Sequence, residues 1–332
     1  MELPPALRQT VDRLLENTPL AELRRAAGLL SSRYRAELRD GRLHLDGELA
    51  VKAYLATRLP ATYAAVRASF EAVSEVLPDF APQTLLDLGA GPGTVLWAAS
   101  DRWPSLADAQ LVEASAAARA AGETLATALP AAETRWIAGD ATRTLPALGP
   151  ADLVTLSYVL DELAPQALPP LVDRLWALTA GVLVVVEPGT PAGWARILAV
   201  RERLIAAGAH LLAPCPHAAP CPLAPPDWCH FSRRVTRSRL HRLAKDGDVP
   251  WEDEKYIFVA ASRRPGDQPA ARVIAPPRAA KGMVKLKLCR ADGSAGETTV
   301  TKREGETFRI ARRLDWGDAV AATEGRQDRV PE

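Results

Sequence analysis

The sequence predicts an α/β fold built on a doubly wound parallel sheet, and three observations carry that reading. Short apolar runs recur along the chain: TLLDLGAG from residue 84, AQLVEAS near 111, TRWIAGD near 137, ADLVTLSYVL near 156 and GVLVVVEPG near 184. Helical stretches such as LPPLVDRLWALT separate them, the alternation that parallel strands joined by crossover helices require. The first run breaks straight into glycines, as a buried strand does when it ends in a tight turn.

The flanking segments read differently. Within residues 1–80, AELRRAAGLLSSRYRAEL and VKAYLATRLPATYAAVRASFEAVSEVL carry apolar residues at helical spacing, and Pro60 is placed to kink or restart the second. After Glu187, GWARILAVRERLIAAG predicts a helix, and HLLAPCPHAAPCPLAPPDWCHF follows with no regular period. KYIFVAAS, residues 255–262, predicts a further sheet strand. Past a linker-like RRPGDQPAARVIAPPR, the segments MVKLKLCR, ETTVTK and TFRIARR predict three antiparallel strands joined by the turns ADGSAG and REGE. The expected organisation is a helical region at 1–80, an α/β domain at 81–264 with a Cys-rich insertion at 210–232, a β module at 265–317 and a disordered tail at 318–332.

Composition narrows the function. With 332 residues, 48% of them hydrophobic and 24% charged, the chain has the composition of a folded protein. No apolar run is long enough to cross a bilayer, so no membrane role is expected. The formal net charge of +1 hides an asymmetry: residues 84–200 hold 6 basic and 12 acidic side chains, and residues 233–313 hold 20 and 10. A basic third beside an acidic domain predicts a polyanionic partner. The expected phosphate contacts are Arg233, Arg234, Arg237, Lys285, Lys287, Lys302 and Arg303.

The glycine turn reads Asp87-Leu-Gly89-Ala90-Gly91-Pro-Gly93. Alternate glycines let the backbone bend sharply and approach a ligand. Dinucleotide folds space theirs G-x-G-x-x-G around a diphosphate, whereas this loop is G-x-G-x-G with a carboxylate two positions before it. That carboxylate repels a diphosphate and attracts a cation such as S-adenosylmethionine. Glu113 ends the second run, where a carboxylate accepts ribose hydroxyls; Asp140 ends the third, beside the place of the adenine, and Ser157 ends the fourth. This ordered set resembles the class I S-adenosylmethionine-dependent methyltransferases. No catalytic residue follows from it. SYVLDEL stands where base-amine enzymes carry Asn/Asp-Pro-Pro-aromatic, and Asp161 or Glu162 reads equally as a general base or as a helix-start carboxylate.

Cys215, Cys221, Cys229 and Cys289 are separated by five, seven and 59 residues. Four thiolates suit a tetrahedral zinc or an iron–sulfur cluster. The C-x2-C pairs of a zinc ribbon are absent, the wide spacings favour the bulkier cluster, and His217 and His230 keep a mixed zinc site open. A fourth ligand at Cys289 would clip the β module to the α/β domain.

Taken together, LLDLGAGPGT, SYVLDEL, VVVEPGTPAGW, APCPH…CPL…DWCHFSRRV and VKLKLC…VTKREGETFRIARRLDWGD resemble the Rsm-type family of ribosomal small-subunit methyltransferase-like proteins, from about Tyr54 to Gly317. The resemblance implies a [4Fe–4S] cluster on the four cysteines and S-adenosylmethionine at the glycine loop. It also implies association with small-subunit ribosomal RNA during assembly. A bacterial cytoplasmic, monomeric protein is the corresponding expectation.

Overall fold

The computed structural model describes residues 1–36, 43–129, 133–140, 148–245 and 247–321. Helices α1 (Pro5–Leu15), α2 (Leu20–Ala36), α3 (Glu48–Thr57) and α4 (Leu59–Val76) form the N-terminal region. The break between α3 and α4 falls at Arg58. Pro60 sits in the first turn of α4, where its missing N–H removes no helical hydrogen bond. Val66, Phe70 and Val73 of α4 are fully buried, so this helix belongs to the main core.

The α/β layer follows as β1 (Thr84–Leu88), α5 (Thr94–Arg102), β2 (Asp108–Glu113), α6 (Ala116–Ala126), β3 (Glu133–Ala138), β4 (Ala151–Ser157), α7 (Leu168–Ala177), β5 (Thr179–Pro188) and α8 (Pro191–Ala206). It closes with β6 (His210–Ala213), β7 (Phe231–Thr236), α9 (Arg239–Lys245) and β8 (Trp251–Ser262). The strand order is β3-β2-β1-β4-β5-β8-β6, with β1 to β5 parallel and β8 antiparallel between β5 and β6. That order is the class I methyltransferase-like Rossmann sheet. Its order reverses between β1 and β4, and a crevice opens there beyond the carboxyl ends of the strands.

Strand β8 does a second job. Its end, Ala260–Ser262, pairs with β6, and its start, Trp251–Tyr256, pairs with β7. Between them Ile257–Val259 have no strand partner on that edge. The Cys-rich loop leaves β6 and returns in β7, so both its ends are pinned to one strand and it arches over this gap.

The C-terminal module is a second, antiparallel sheet of β9 (Ala271–Val273), β10 (Arg278–Ala280), β11 (Met283–Arg290), β12 (Ala295–Thr301) and β13 (Ala319–Val320), with the short helix α10 (Glu306–Ala311). Three expectations change here. TFRIARR is largely helix rather than strand: Phe308 and Ala311, three apart, face the module's own core, while Ile310 is exposed. The Thr301–Glu304 capping box closes a separate 3-10 turn at Lys302–Glu304 just before this helix, and its T-x-x-E pattern is legible in the sequence. The linker-like segment supplies β9 and the first residue of β10, and residues 319–320 of the expected tail pair with β9. Residues 322–332 lie outside the described residues.

Candidate functional site

At the carboxyl ends of β1, β2, β3 and β4 lies a cavity of about 360 Å³. Gly89, Ala90, Gly91, Glu113, Asp140 and Ser157 all line it, so one space gathers residues from four strand ends. Asp87 and Gly93 do not line it. Gly93 caps α5 beneath Trp136, and Asp87 is completely buried behind the loop.

The loop is held from below. Gly89 has φ +69°, and a Cβ there would meet Val159 Cγ2 at 2.4 Å. Gly89→Ala is therefore expected to destabilise the fold by about 1–3 kcal/mol, read as a lower urea midpoint at unchanged slope. Glu113 ties the loop to the next helix, accepting from the Gly91 N–H at 2.8 Å and the Ser115 N–H at 2.7 Å. Each carboxylate oxygen keeps a lone pair for a ligand hydroxyl.

Asp87 is electrostatically distinctive. Its Oδ1 accepts from Thr155 Oγ1 at 2.7 Å, and its Oδ2 is buried without a partner. Burial pushes its carboxyl up to about 7, opposed by the Thr155 hydrogen bond and assisted by the charge of Glu113. A cation in the cavity would pull it back down. Sulfonium and ammonium groups have that charge, so the residues fit S-adenosylmethionine.

Sequence reasoning missed the other wall. Tyr34, His44 and Tyr54 come from the helical region and line the same cavity. Tyr34 and His44 stack with ring centroids 4.7 Å apart. Tyr54 meets Thr94 at 3.1 Å, and His44 Nε2 lies 3.6 Å from Glu162. No local motif marks these positions; the fold carries them there. Glu162 lines the cavity with its carboxyl pushed up to about 8, by burial first and then by Asp161. Asp161 is buried and lines no part of it.

The four cysteines converge at a second place. Cys215, Cys221, Cys229 and Cys289 line one cavity of about 30 Å³, floored by Ile257, Phe258 and Val259 from the gap in β8. Burial pushes the thiols of Cys215, Cys229 and Cys289 up, and neighbouring cysteines push each of them further. Cys289 Sγ lies 3.4 Å from His217 Nε2. His230 lies apart, stacked on Trp228. Among the described residues, no three His, Cys, Asp or Glu side chains converge closely enough to hold a single metal ion.

The seven basic residues divide. Arg234 forms two hydrogen bonds with Asp253, Arg237 pairs with Glu252, and Lys287 pairs with Asp227. Arg233, Lys285, Lys302 and Arg303 form no ion pair among the described residues, and the last three are exposed.

The chain is similar to several known proteins. "Ribosome assembly protein METTL17, mitochondrial" from Homo sapiens is 31% identical over 286 residues, covering 80% of this chain and 61% of that protein. Two Schizosaccharomyces pombe proteins, Rsm22-cox11 tandem proteins 1 and 2, are 24% identical over 321 residues, covering 81% of this chain and 42% of theirs. The chain thus spans less than two thirds of the length of these relatives. Among solved structures, an O-methyltransferase family protein from Burkholderia thailandensis aligns at 16% identity and TM-score 0.43, over 74% of this chain and 72% of that one. Magnesium protoporphyrin IX methyltransferase from Synechocystis with bound SAM aligns at 12% identity and TM-score 0.41, over 70% and 91%. The family described as "Mitochondrial small ribosomal subunit Rsm22" matches residues 48–321, the α3 helix through the end of the β module, and the chain belongs to this Rsm22 family.

Proposed function

We propose that this protein binds S-adenosylmethionine and an iron–sulfur cluster, and acts as a methyltransferase-like protein on small-subunit ribosomal RNA or in assembly of the small subunit. The observation that carries the reading is the convergence of the glycine loop, Glu113, Asp140 and Ser157 on one cavity with a buried, half-partnered Asp87 behind it. When bound, S-adenosylmethionine supplies an electrophilic methyl group on a sulfonium. Gly89 and Gly91 let the backbone approach it, Glu113 accepts its ribose hydroxyls, and Asp87 supplies the counter-charge from behind. At the cysteine site, four thiols lining one cavity support a thiolate-bound group, an iron–sulfur cluster with zinc as the alternative. Such a group would tie Cys289 of the β module to the loop between β6 and β7.

A second reading, an assembly factor with a binding but inactive pocket, draws on Tyr158. This residue follows β4, where class I enzymes place catalytic side chains, yet its hydroxyl is held by Glu254 at 3.0 Å.

Methyl-labelled S-adenosylmethionine incubated with immature small subunits and this protein separates the two. Label in RNA supports catalysis; retention of the protein on the subunit without label supports the second reading. Affinity for naked small-subunit RNA is expected to fall steeply with salt. Reversing Lys285, Lys302 and Arg303 together should flatten that dependence by about 2–3 in log–log slope. A salt-independent affinity would sink the RNA assignment.

A further inference from the structure

Two arginines are buried near the cysteines: Arg201 lines their cavity with no carboxylate partner among the described residues, and Arg272 lines the neighbouring cavity, paired with Glu75. Arg201, on α8, is 2% exposed and lines the cavity. One of its terminal nitrogens donates to the carbonyls of His217 at 2.9 Å and Ala219 at 2.7 Å, while its Nε is buried without a partner. No carboxylate pairs with it among the described residues. Arg272, on β9, is also 2% exposed. Its Nε donates to the Pro214 carbonyl at 2.8 Å, and its Nη1 donates to the Gly317 carbonyl at 2.7 Å. The nearest carboxylate, Glu75, lies 3.4 Å away with its side chain 48% exposed, and the Nη2 of Arg272 has no partner.

The placement is specific to the cysteines. Arg201 grips the loop between Cys215 and Cys221. Arg272 grips the residue before Cys215, and the strand register sets it directly opposite Cys289. Arg201 therefore lines the cysteine cavity from α8, while the Arg272 charge acts on Cys215 and Cys229 from behind Pro214, on the β-module side.

A buried charge without a counter-ion costs several kcal/mol, and carbonyl dipoles offset only part of that. Four thiolates around a core of two positive charges leave two net negative charges. An oxidised four-iron cluster and a zinc ion both have such a core. Two fixed cations would then face two negative charges, and the unpartnered Nε–H of Arg201, inside the cavity, would gain a sulfur acceptor.

We propose that Arg201 and Arg272 are the built-in counter-charges of the four-cysteine site, so that the cavity is made for a thiolate-bound group carrying two net negative charges. This rests on the metal-site reading above. Both arginines act through the ligands and are positioning residues.

The test uses the full chain purified without oxygen, as wild type, Arg201→Gln, Arg201→Lys and Arg272→Gln, with iron, labile sulfide and zinc measured in each. If wild type holds iron and sulfide, the midpoint potential is read by titration with dithionite. One electron passes from dithionite to the oxidised cluster and makes it one charge more negative, a change that a nearby cation favours. The Gln variants are expected to shift to lower potential, and Arg201→Lys to stay near wild type. Equal potentials in wild type and the Gln variants, with clusters intact, would overturn the proposal. Arg201→Lys keeps the charge and loses the planar two-carbonyl grip. If it fails as badly as Arg201→Gln in cluster content, the arginine is a loop brace only and the proposal falls. If wild type holds zinc, chelator competition replaces the potential: about a tenfold or greater loss of affinity in the Gln variants supports the counter-charge, and equal affinity overturns it. A wild type with neither iron nor zinc removes the metal-site reading itself, an outcome distinct from the others.

Discussion

Asp87→Asn is expected to separate two properties that usually fall together: S-adenosylmethionine affinity drops about ten- to a hundredfold, and the ligand-free protein melts higher at pH 8. The first follows from the loss of the negative charge behind the glycine loop, worth about 1.5–3 kcal/mol against a cationic ligand. The second follows from burial. The Asp87 carboxyl is raised from 3.8 to about 7 in the fold, so the folded state holds a proton that the unfolded chain has already released. Its contribution to stability is complete below the unfolded value and is lost as pH rises through about 7. The amide keeps the contact with Thr155 and has no charge to desolvate. In the wild type, a bound cation pulls the carboxyl down, so binding near pH 7 should release protons. Calorimetry in two buffers of different ionisation enthalpy measures that release. Absence of proton release in the wild type, with binding intact, would remove Asp87 from the role assigned to it.

Cys289→Ser is expected to strip most of the bound metal and to loosen the β module. Cys215, Cys221 and Cys229 lie in the loop between β6 and β7, and Cys289 lies on β11 of the other sheet, so under the proposed ligation the fourth ligand would cross-link the two sheets. Iron and labile sulfide should fall together, with the visible absorbance. Protease cleavage in residues 263–278 should quicken on the order of tenfold, as local opening becomes easier. Cys229→Ser should lose the same metal and loosen the module to a similar degree, because the clip runs through the bound group. Because burial raises the thiols, ligation must displace bound protons, and metal retention should weaken as pH falls. A colourless wild type with one zinc per chain would reject the iron–sulfur assignment while keeping the cross-link.

Much of this protein was legible in the sequence because the signals are local. A buried strand is a short apolar run, and a tight turn needs glycine. A helix restart shows as proline in its first turn, as at Pro60. The α/β alternation, the glycine loop and the strand-end carboxylates Glu113 and Asp140 all read this way. The helix at Glu306–Ala311 shows how a short segment misleads. TFRI alternates as a strand would, but packing turned on Phe308 and Ala311, a spacing that only the neighbouring sheet could select.

The basic cluster shows the same limit from the side of charge. Composition counts Arg234, Arg237 and Lys287 as available cations, yet the fold sets each against a carboxylate, from Asp253, Glu252 and Asp227. Lys285, Lys302 and Arg303 form no ion pair among the described residues and are exposed, which leaves them open for the proposed phosphate contacts. A charge count cannot see across strands, and pairing is decided there.

By itself, the sequence determined the parallel sheet, the loop that bends at Gly89 and Gly91, and the residue types available to each site. The tertiary structure alone decided which of them meet. It brought Tyr34, His44 and Tyr54 from the helical region onto the cavity wall. It placed Cys289 beside cysteines 60 or more positions earlier, over a gap left in β8, and buried Arg201 in the same cavity. The physical reason is range. Backbone conformation follows from neighbours a few residues apart, whereas a site's charge balance depends on groups that only strand order and register bring together.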